Sequence, residues 1–267
     1  MKRVLSILLF MMVGFVFVNP AQSQILDSPP RNSVYEKIHS QDKQPVAYPF
    51  VREADVIWSK RIWRQVDMKE KMNQSFYYPR EAHNDWRSFA TVIVDALKEG
   101  TITAYDASVT TDEFTVPLTY QELISKLEKS DTMVMQRPYP PYESFDTVIT
   151  TPFNSADISK FRIKEDWIFD KQRSVMEARI LGVCLVKENY TEEDVFRGDE
   201  PLFWIYFPEA RKVLAKAQVF NRGNGAVRLS YDDVFWKRMF SSKIIKEENV
   251  YDRGIAQYAK GLDALLE

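Results

Sequence analysis

Few residues in this sequence have the types and spacing that catalysis requires. The chain of 267 residues contains one cysteine, Cys184, and two histidines, His39 and His83. Nucleophilic catalysis needs a serine or cysteine beside a base, and neither histidine stands in a pattern that would supply one. The single thiol excludes a zinc site built from cysteines. We therefore predict no catalytic residue, no metal site and no cofactor.

Carboxylates and glycines cluster in places where a structural role explains them. Glu192-Glu193-Asp194 and Asp232-Asp233 stand at predicted helix N-termini, where the helix dipole stabilises acids. Glycosidase chemistry needs two carboxylates that face each other across a cleft, and the sequence singles out no such pair. Arg222-Gly223-Asn224-Gly225 lacks the lysine and the spacing of a phosphate-binding loop. The sequence thus indicates a protein that is not an enzyme.

The composition is that of a folded protein without a strong charge bias. Apolar residues make up 45% of the chain, charged residues 28%, and the formal net charge is −2. Disordered chains combine low hydrophobicity with high net charge, and this one is rich in phenylalanine and tyrosine instead. Nucleic-acid binding requires a clustered excess of lysine and arginine, for which the near-neutral balance gives no support.

The N-terminus has the pattern of an exported protein. Lys2 and Arg3 precede the apolar stretch 4–18, and small residues follow at Ala21 and Ser23. This order is typical of a secretory signal peptide over residues 1–23. A membrane anchor is the alternative, but a spanning helix needs about 20 apolar residues. No cysteine lies near the cleavage site for lipidation, so we expect a soluble protein in an extracytoplasmic compartment.

Proline-rich stretches divide the rest of the chain. Residues 24–49 carry four prolines and predict an extended N-terminal arm, and residues 136–152 carry four more and predict a linker. Between and after them we expect a first α+β half at 50–135 and a second at 153–267. The predicted fold class is α+β, with mixed small sheets and packed helices.

Local patterns predict the main elements of both halves. Strands are expected at 55–66, 101–104, 161–169, 174–187 and 202–207, and helices at 85–99, from Thr119, from Pro208 and from Ser230. Thr119 with Glu122 forms a capping box, and Pro208 suits the first turn of a helix. Cys184 stands in an apolar run, which favours a buried thiol over an intermolecular disulfide.

The two halves contain similar motifs at a constant offset. Asp55 and Ile57 precede Asp166 and Ile168 by 111 residues, and the Thr119 capping motif precedes Ser230 by the same offset. An internal duplication of an α+β unit is therefore a hypothesis, and it predicts that the two halves superpose.

Four residues are candidates for a protein–protein interface. Trp58, Arg61, Trp63 and Arg64 bring two indoles and two guanidinium groups close together in one segment. Tryptophan and arginine are enriched at the centres of interfaces. The alternative is that both indoles belong to the core.

Several motifs in one order resemble the GldN/PorN family of gliding-motility and type IX secretion proteins. The likeness runs from about residue 50 to 255. The motifs that carry it are Asp55-Val56-Ile57-Trp58-Ser59-Lys60-Arg61-Ile62-Trp63-Arg64, Lys71-Met72-Asn73-Gln74, Tyr77-Tyr78-Pro79, Lys164-Glu165-Asp166-Trp167, Leu202-Phe203-Trp204-Ile205-Tyr206-Phe207-Pro208, Arg238-Met239-Phe240-Ser241-Ser242 and Lys246-Glu247-Glu248-Asn249-Val250-Tyr251-Asp252-Arg253.

The resemblance implies a non-enzymatic periplasmic subunit of a secretion machine. It implies a large ring formed with a GldK/PorK-type outer-membrane lipoprotein, and contact with the periplasmic domains of a GldM/PorM-type motor component. The assembly would support protein secretion across the outer membrane and, in gliding species, motility. The resemblance supplies no catalytic or cofactor residues.

Two other classes of function stay open at the level of sequence. A periplasmic peptidoglycan- or glycan-binding module would use exposed tryptophan and tyrosine side chains as a platform for sugars. A periplasmic hydrolase would show a cleft with paired carboxylates of perturbed pKa.

Overall fold

The computed structural model of the chain describes residues 39, 42–83, 86–107, 112–136, 138–140, 144–191, 195–221, 223–224 and 227–266. The predicted signal peptide lies outside the described residues, as does most of the predicted arm.

The described elements alternate irregularly between strands and helices. The strands are β1 (Val56–Asp67), β2 (Ala104–Asp106), β3 (Lys129–Gln136), β4 (Ser144–Thr151), β5 (Ile158–Asp170), β6 (Val175–Tyr190), β7 (Phe196–Tyr206) and β8 (Lys243–Glu247). The helices are α1 (Gln74–Tyr77), α2 (Phe89–Lys98), α3 (Tyr120–Leu127), α4 (Phe207–Lys216), α5 (Tyr231–Trp236), α6 (Ile255–Tyr258) and α7 (Asp263–Leu266).

Six of the strands form one antiparallel sheet in the order β2-β7-β6-β5-β1-β8. Its centre is the long β5–β6 hairpin, which the sequence predicts at 161–169 and 174–187 with a turn between them. β3 and β4 pair separately as a two-stranded hairpin. Antiparallel sheets with packed helices confirm the predicted α+β class.

The main core lies between the sheet and its helices. Successive residues of a strand point to opposite faces, so Val183 and Leu185 join the helix-side core while Cys184 and Val186 belong to a second cluster on the other face. Phe76, Phe89 and Phe161 meet at the centre of the main core with ring centroids 5.0–5.5 Å apart. Burial of each such ring stabilises the fold by about 2–3 kcal/mol.

Helix termini follow the signals in the sequence. The hydroxyl of Thr119 accepts from the Glu122 amide, and the Glu122 carboxylate accepts from the Thr119 amide, which confirms the predicted capping box. Ser230 forms the same reciprocal arrangement at the start of α5. Pro208 lies in the first turn of α4, as predicted. The helix predicted at 85–99 begins at Phe89, because Ser88 supplies the capping oxygen.

The face of the sheet opposite the helices is partly covered by the Phe114 loop, which we define as residues 112–118. The Phe114 ring contacts Tyr105, Trp204 and Tyr206 at 5.6–6.3 Å between ring centroids. It lies directly over Gly182, where a Cβ atom would come within 2.4 Å of the ring. Cys184 is fully buried in this second cluster, and burial raises the pKa of its thiol to about 12.

The proline-rich segment 136–152 contains a strand that the sequence patterns did not predict, while its role as a linker stays a prediction. Residues 144–151 form β4, whose pairing with β3 runs without a break from Lys129↔Thr151 to Gln136↔Ser144. The run of β-branched residues at 147–151 favours a strand, and Pro138 and Pro140 lie in the connection before it.

Strands from both predicted halves lie in one sheet. β1 and β2 come from residues 50–135, β5 to β8 from residues 153–267, and β1 pairs with β5 along its whole length. The strands that match at the 111-residue offset, β1 and β5, are therefore direct neighbours. The duplication itself stays a prediction.

The described end of the predicted arm, residues 42–49, has no regular secondary structure and is held against the body. Arg211 donates to the Val46 carbonyl at 2.7 Å, and Arg179 donates to the Pro49 carbonyl at 2.6 Å. Tyr48 stacks on Trp236 with a centroid distance of 5.0 Å. The two hydrogen bonds involve main-chain carbonyls, which hydropathy patterns do not reveal.

Candidate interaction surface

The four candidate interface residues lie on one strand but on opposite faces of the sheet. β1 pairs regularly with β5 from Trp58 to Asp67, so alternation places Trp58 and Arg64 on one face and Arg61 and Trp63 on the other. The structure therefore does not bring the four side chains together into a single surface.

Trp63 is a core residue, which corrects its place among the interface candidates. It is 7% exposed, and its Nε1 donates to the Asp112 carboxylate at 2.5 Å. The ammonium groups of Lys164 and Lys246 lie 5.7 and 4.4 Å from the centre of its ring. An indole enclosed in this way has almost no area left for a partner.

Arg64 belongs to an internal cluster of hydrogen bonds around Glu165, whose side chain is fully buried. The Glu165 carboxylate accepts from Arg64 at 2.6 Å, from Arg238 at 2.8 Å and from the Trp167 indole at 2.9 Å. Removing one partner of a buried ion pair is strongly destabilising. Arg64 therefore ties β1 to β5 and to the turn after α5, and this role does not depend on a partner protein.

Arg61 retains partial access to solvent. It forms a two-point ion pair with Asp166 at 2.7 and 3.0 Å, and about a third of its side chain is exposed. The hydrogen bond to Asp166 raises the pKa of the guanidinium above its ordinary value. A paired, half-exposed arginine of this kind can lie at the rim of an interface.

Trp58 is the candidate whose side chain the structure leaves accessible, at 42% exposed. It stands opposite Phe169, and Phe169 stands opposite Met176, so the three side chains form a row across β1, β5 and β6. We call Trp58, Phe169 and Met176 the distal row. Met176 is also exposed. The sequence did not reveal this row, because only the register of three strands aligns its members.

A second accessible apolar surface lies on the β3–β4 hairpin. Met133, Val134, Met135 and Val148 are all exposed. Cross-strand pairing puts Met133 and Met135 on one face, with Val134 and Val148 on the other. The sequence analysis predicted a linker over residues 136–152 and therefore missed this surface.

An electrostatic network lies on the helix-free face of the sheet. Glu188 accepts from Lys160 at 2.8 Å, from Lys69 at 3.0 Å and from the Tyr190 hydroxyl at 3.0 Å. Burial acts to raise the pKa of Glu188, but these hydrogen bonds outweigh it and lower the pKa to about 2. The network links β5, β6 and the turn after β1.

The described part of the chain contains no candidate site for a metal ion. No group of three or more histidine, cysteine, aspartate or glutamate side chains could hold a metal ion among the described residues. His83 forms an isolated backbone bridge with Trp86. None of the described helices is long and apolar enough to cross a membrane.

Fold and surface together define an α+β protein whose described part presents accessible apolar side chains on its six-stranded sheet and on the β3–β4 hairpin. Residues 51–267 match the family model described as gliding motility associated protein GldN. The chain therefore belongs to the GldN family, which confirms the resemblance found in its motifs. Among curated proteins, no sequence matches the chain.

Proposed function

We propose that this chain is a non-enzymatic periplasmic structural subunit of the type IX secretion and gliding machinery. It forms a large ring-like complex with a GldK/PorK-type outer-membrane lipoprotein and contacts the periplasmic domains of a GldM/PorM-type motor component. The observation that carries this proposal is the family match over residues 51–267. The predicted signal peptide supports a periplasmic location.

The accessible apolar side chains support a role in assembly. Soluble monomers rarely expose contiguous apolar patches without a function for them. The distal row and the β3–β4 hairpin expose Trp58, Met176, Met133 and Met135. Aromatic residues and methionine are enriched in interface cores. Of the four sequence candidates, Trp58 and Arg61 stay proposed interface residues.

Co-expression with the cognate GldK-type lipoprotein, produced without its lipid, tests the proposal. We expect a joint species of high mass in size exclusion with light scattering, and ring-shaped particles in negative stain. Trp58→Ala should weaken the assembly, while Val250→Ala, at an exposed apolar residue outside both surfaces, should not.

Two independent monomers would contradict the partnership. If the chain were then captured by isolated cell wall, with capture lost in Trp58→Ala, the result would support the glycan-binding alternative instead.

A further inference from the structure

Three cations alternate along β5 on the helix-free face of the sheet. Phe161 and Ile163 belong to the main core. Alternation along the strand therefore directs the residues between and beside them, Lys160, Arg162 and Lys164, to the opposite face. Positive charges at every second position of a strand repel each other unless carboxylates balance them.

Both lysines of this row have carboxylate partners within the protein. Lys160 pairs with Glu188 at 2.8 Å and with Asp199 at 2.9 Å. Lys164 pairs with Asp112 at 3.1 Å. The carboxylates come from β6, β7 and the Phe114 loop, which lie on either side of the central arginine. These three acids are therefore already paired.

The guanidinium of Arg162, at the centre of the row, lacks such a partner. It forms no hydrogen bond and no ion pair with any residue that the structure describes, and its Nε is buried. The residue as a whole is partly exposed. A buried polar group without a partner costs free energy, and more so when it is charged. A carboxylate from another molecule would offset this cost with the two parallel hydrogen bonds that a guanidinium favours.

The register of the neighbouring strands brings a second cation to the same row. Arg162 stands opposite Gln65 on β1, and Gln65 stands opposite Lys243 on β8. Residues that are directly opposite share a face of the sheet. Lys243 is exposed and has no ion-pair partner in the described part of the chain. The two cations without carboxylate partners are two strand spacings apart, about 10 Å at the backbone.

We propose that Arg162, Gln65 and Lys243 form a site that binds an acidic segment of a partner protein. We call these three residues the Arg162 site. Charge complementarity selects the partner, because two cations without internal partners attract carboxylates. Their separation matches two carboxylates of one segment better than it matches a single small anion. The inference rests on the proposed function, since it assigns the chemistry of one partner contact of the subunit.

Binding of a labelled hexaglutamate peptide to the purified chain tests the site. Fluorescence polarisation at low salt should show saturable binding that weakens as the salt concentration rises. Arg162→Gln should weaken binding at least about tenfold, because a paired guanidinium makes charge-assisted hydrogen bonds at a partly buried position. Lys243→Gln should have a smaller effect, because an exposed ammonium is well solvated.

Arg228→Gln and Lys237→Gln, at exposed cations on either side of α5, are the matched controls and should bind the peptide as the original chain does. Binding by Arg162→Gln at the original strength would overturn the proposal. The absence of saturable binding to the original chain would also overturn it.

Two further anions distinguish a protein partner from other sources of negative charge. Inorganic phosphate should displace the peptide no better than chloride does at the same ionic strength. Strong displacement by phosphate would show a site for a simple ion and would overturn the proposal. Vesicles that contain phosphatidylglycerol and bind the original chain but not Arg162→Gln would assign the site to lipid and overturn it too.

Urea unfolding separates a binding role of Arg162 from a structural one. Because its guanidinium has no partner among the described residues, Arg162→Gln should leave the unfolding midpoint unchanged or raise it. Arg162→Met, which keeps an apolar stem, should behave in the same way. The hexaglutamate peptide should raise the midpoint of the original chain and not that of either variant. A loss of stability in both variants would show that the arginine serves the fold, against the proposal.

Co-expression with the GldK-type lipoprotein distinguishes failure of this inference from failure of the proposed function. A joint species that forms equally well from the double variant Arg162→Gln Lys243→Gln would overturn the assigned contact and leave the proposed function intact. Peptide binding that depends on Arg162, without any joint species, would support the site and contradict the proposed complex.

Discussion

At the scale of single residues, identical side chains in one strand have opposite roles. Trp58 and Trp63 are five positions apart, and an odd separation puts them on opposite faces of the sheet. The Phe114 loop and two lysines enclose Trp63, while Trp58 is 42% exposed. Residue type indicated aromatic recognition for both, and only the environment separates the structural indole from the accessible one.

Because of Glu188, we expect the free energy of unfolding to decrease at acid pH. Its pKa is lowered to about 2 in the folded protein, against an ordinary value of 4.5. The stabilisation is therefore complete above about pH 4.5 and is lost as the pH falls towards 2. We expect Glu188→Gln to remove on the order of 2 kcal/mol from the free energy of unfolding at neutral pH.

Urea unfolding from pH 7 to pH 2.5 measures this effect. The difference in stability between the original chain and Glu188→Gln should shrink steadily below pH 4.5. Glu53→Gln, at an exposed carboxylate, is the control and should leave the profile unchanged. A constant difference across the whole range would show that Glu188 acts through packing alone.

At the scale of elements, the Phe114 loop covers the helix-free face of the sheet by packing its ring directly over Gly182. β6 comes close to the Phe114 ring because Gly182 has no side chain, and a Cβ there would lie 2.4 Å from Cζ and 3.2 Å from the Ile205 carbonyl. Gly182→Ala should therefore displace the Phe114 loop and cost about 1–3 kcal/mol, the typical cost of overpacking.

A double-mutant cycle with Phe114→Ala tests this coupling by thermal or urea unfolding. Once the ring is removed, Gly182→Ala should cost much less, which gives an interaction energy of about 1 kcal/mol or more. Additive costs of the two substitutions would mean that the glycine serves the backbone of β6 and not the loop.

At the scale of the whole molecule, the sheet makes the two predicted halves interdependent. β1 has β5 on one side and β8 on the other, and both come from the second half. Residues 50–135 alone would expose the inner face of β1 and the phenylalanines of α1 and α2. We expect fragments 50–135 and 153–267 to be unfolded separately and to regain near-ultraviolet circular dichroism when mixed. Cooperative unfolding of either fragment alone would show that it is an independent domain.

Much of the fold could be predicted because the signals are local. Each signal acts over a few residues of the chain. Examples are the capping boxes at Thr119 and Ser230, the proline at 208 and the apolar run around Cys184. The strand at residues 144–151 was not predicted, because a strand can form between prolines when a partner strand supplies its hydrogen bonds. Pairing partners are distant in sequence and leave no local signal.

The sequence by itself determined the α+β class, the principal helix starts, the β5–β6 hairpin, the burial of Cys184 and, through its motifs, membership of the GldN family. The tertiary structure decided which aromatic side chains are accessible, that strands of both halves share one sheet, and where the distal row lies. The physical reason is that capping and periodicity are short-range effects. Exposure and grooves arise where strand register and helix packing bring together residues that are far apart along the chain.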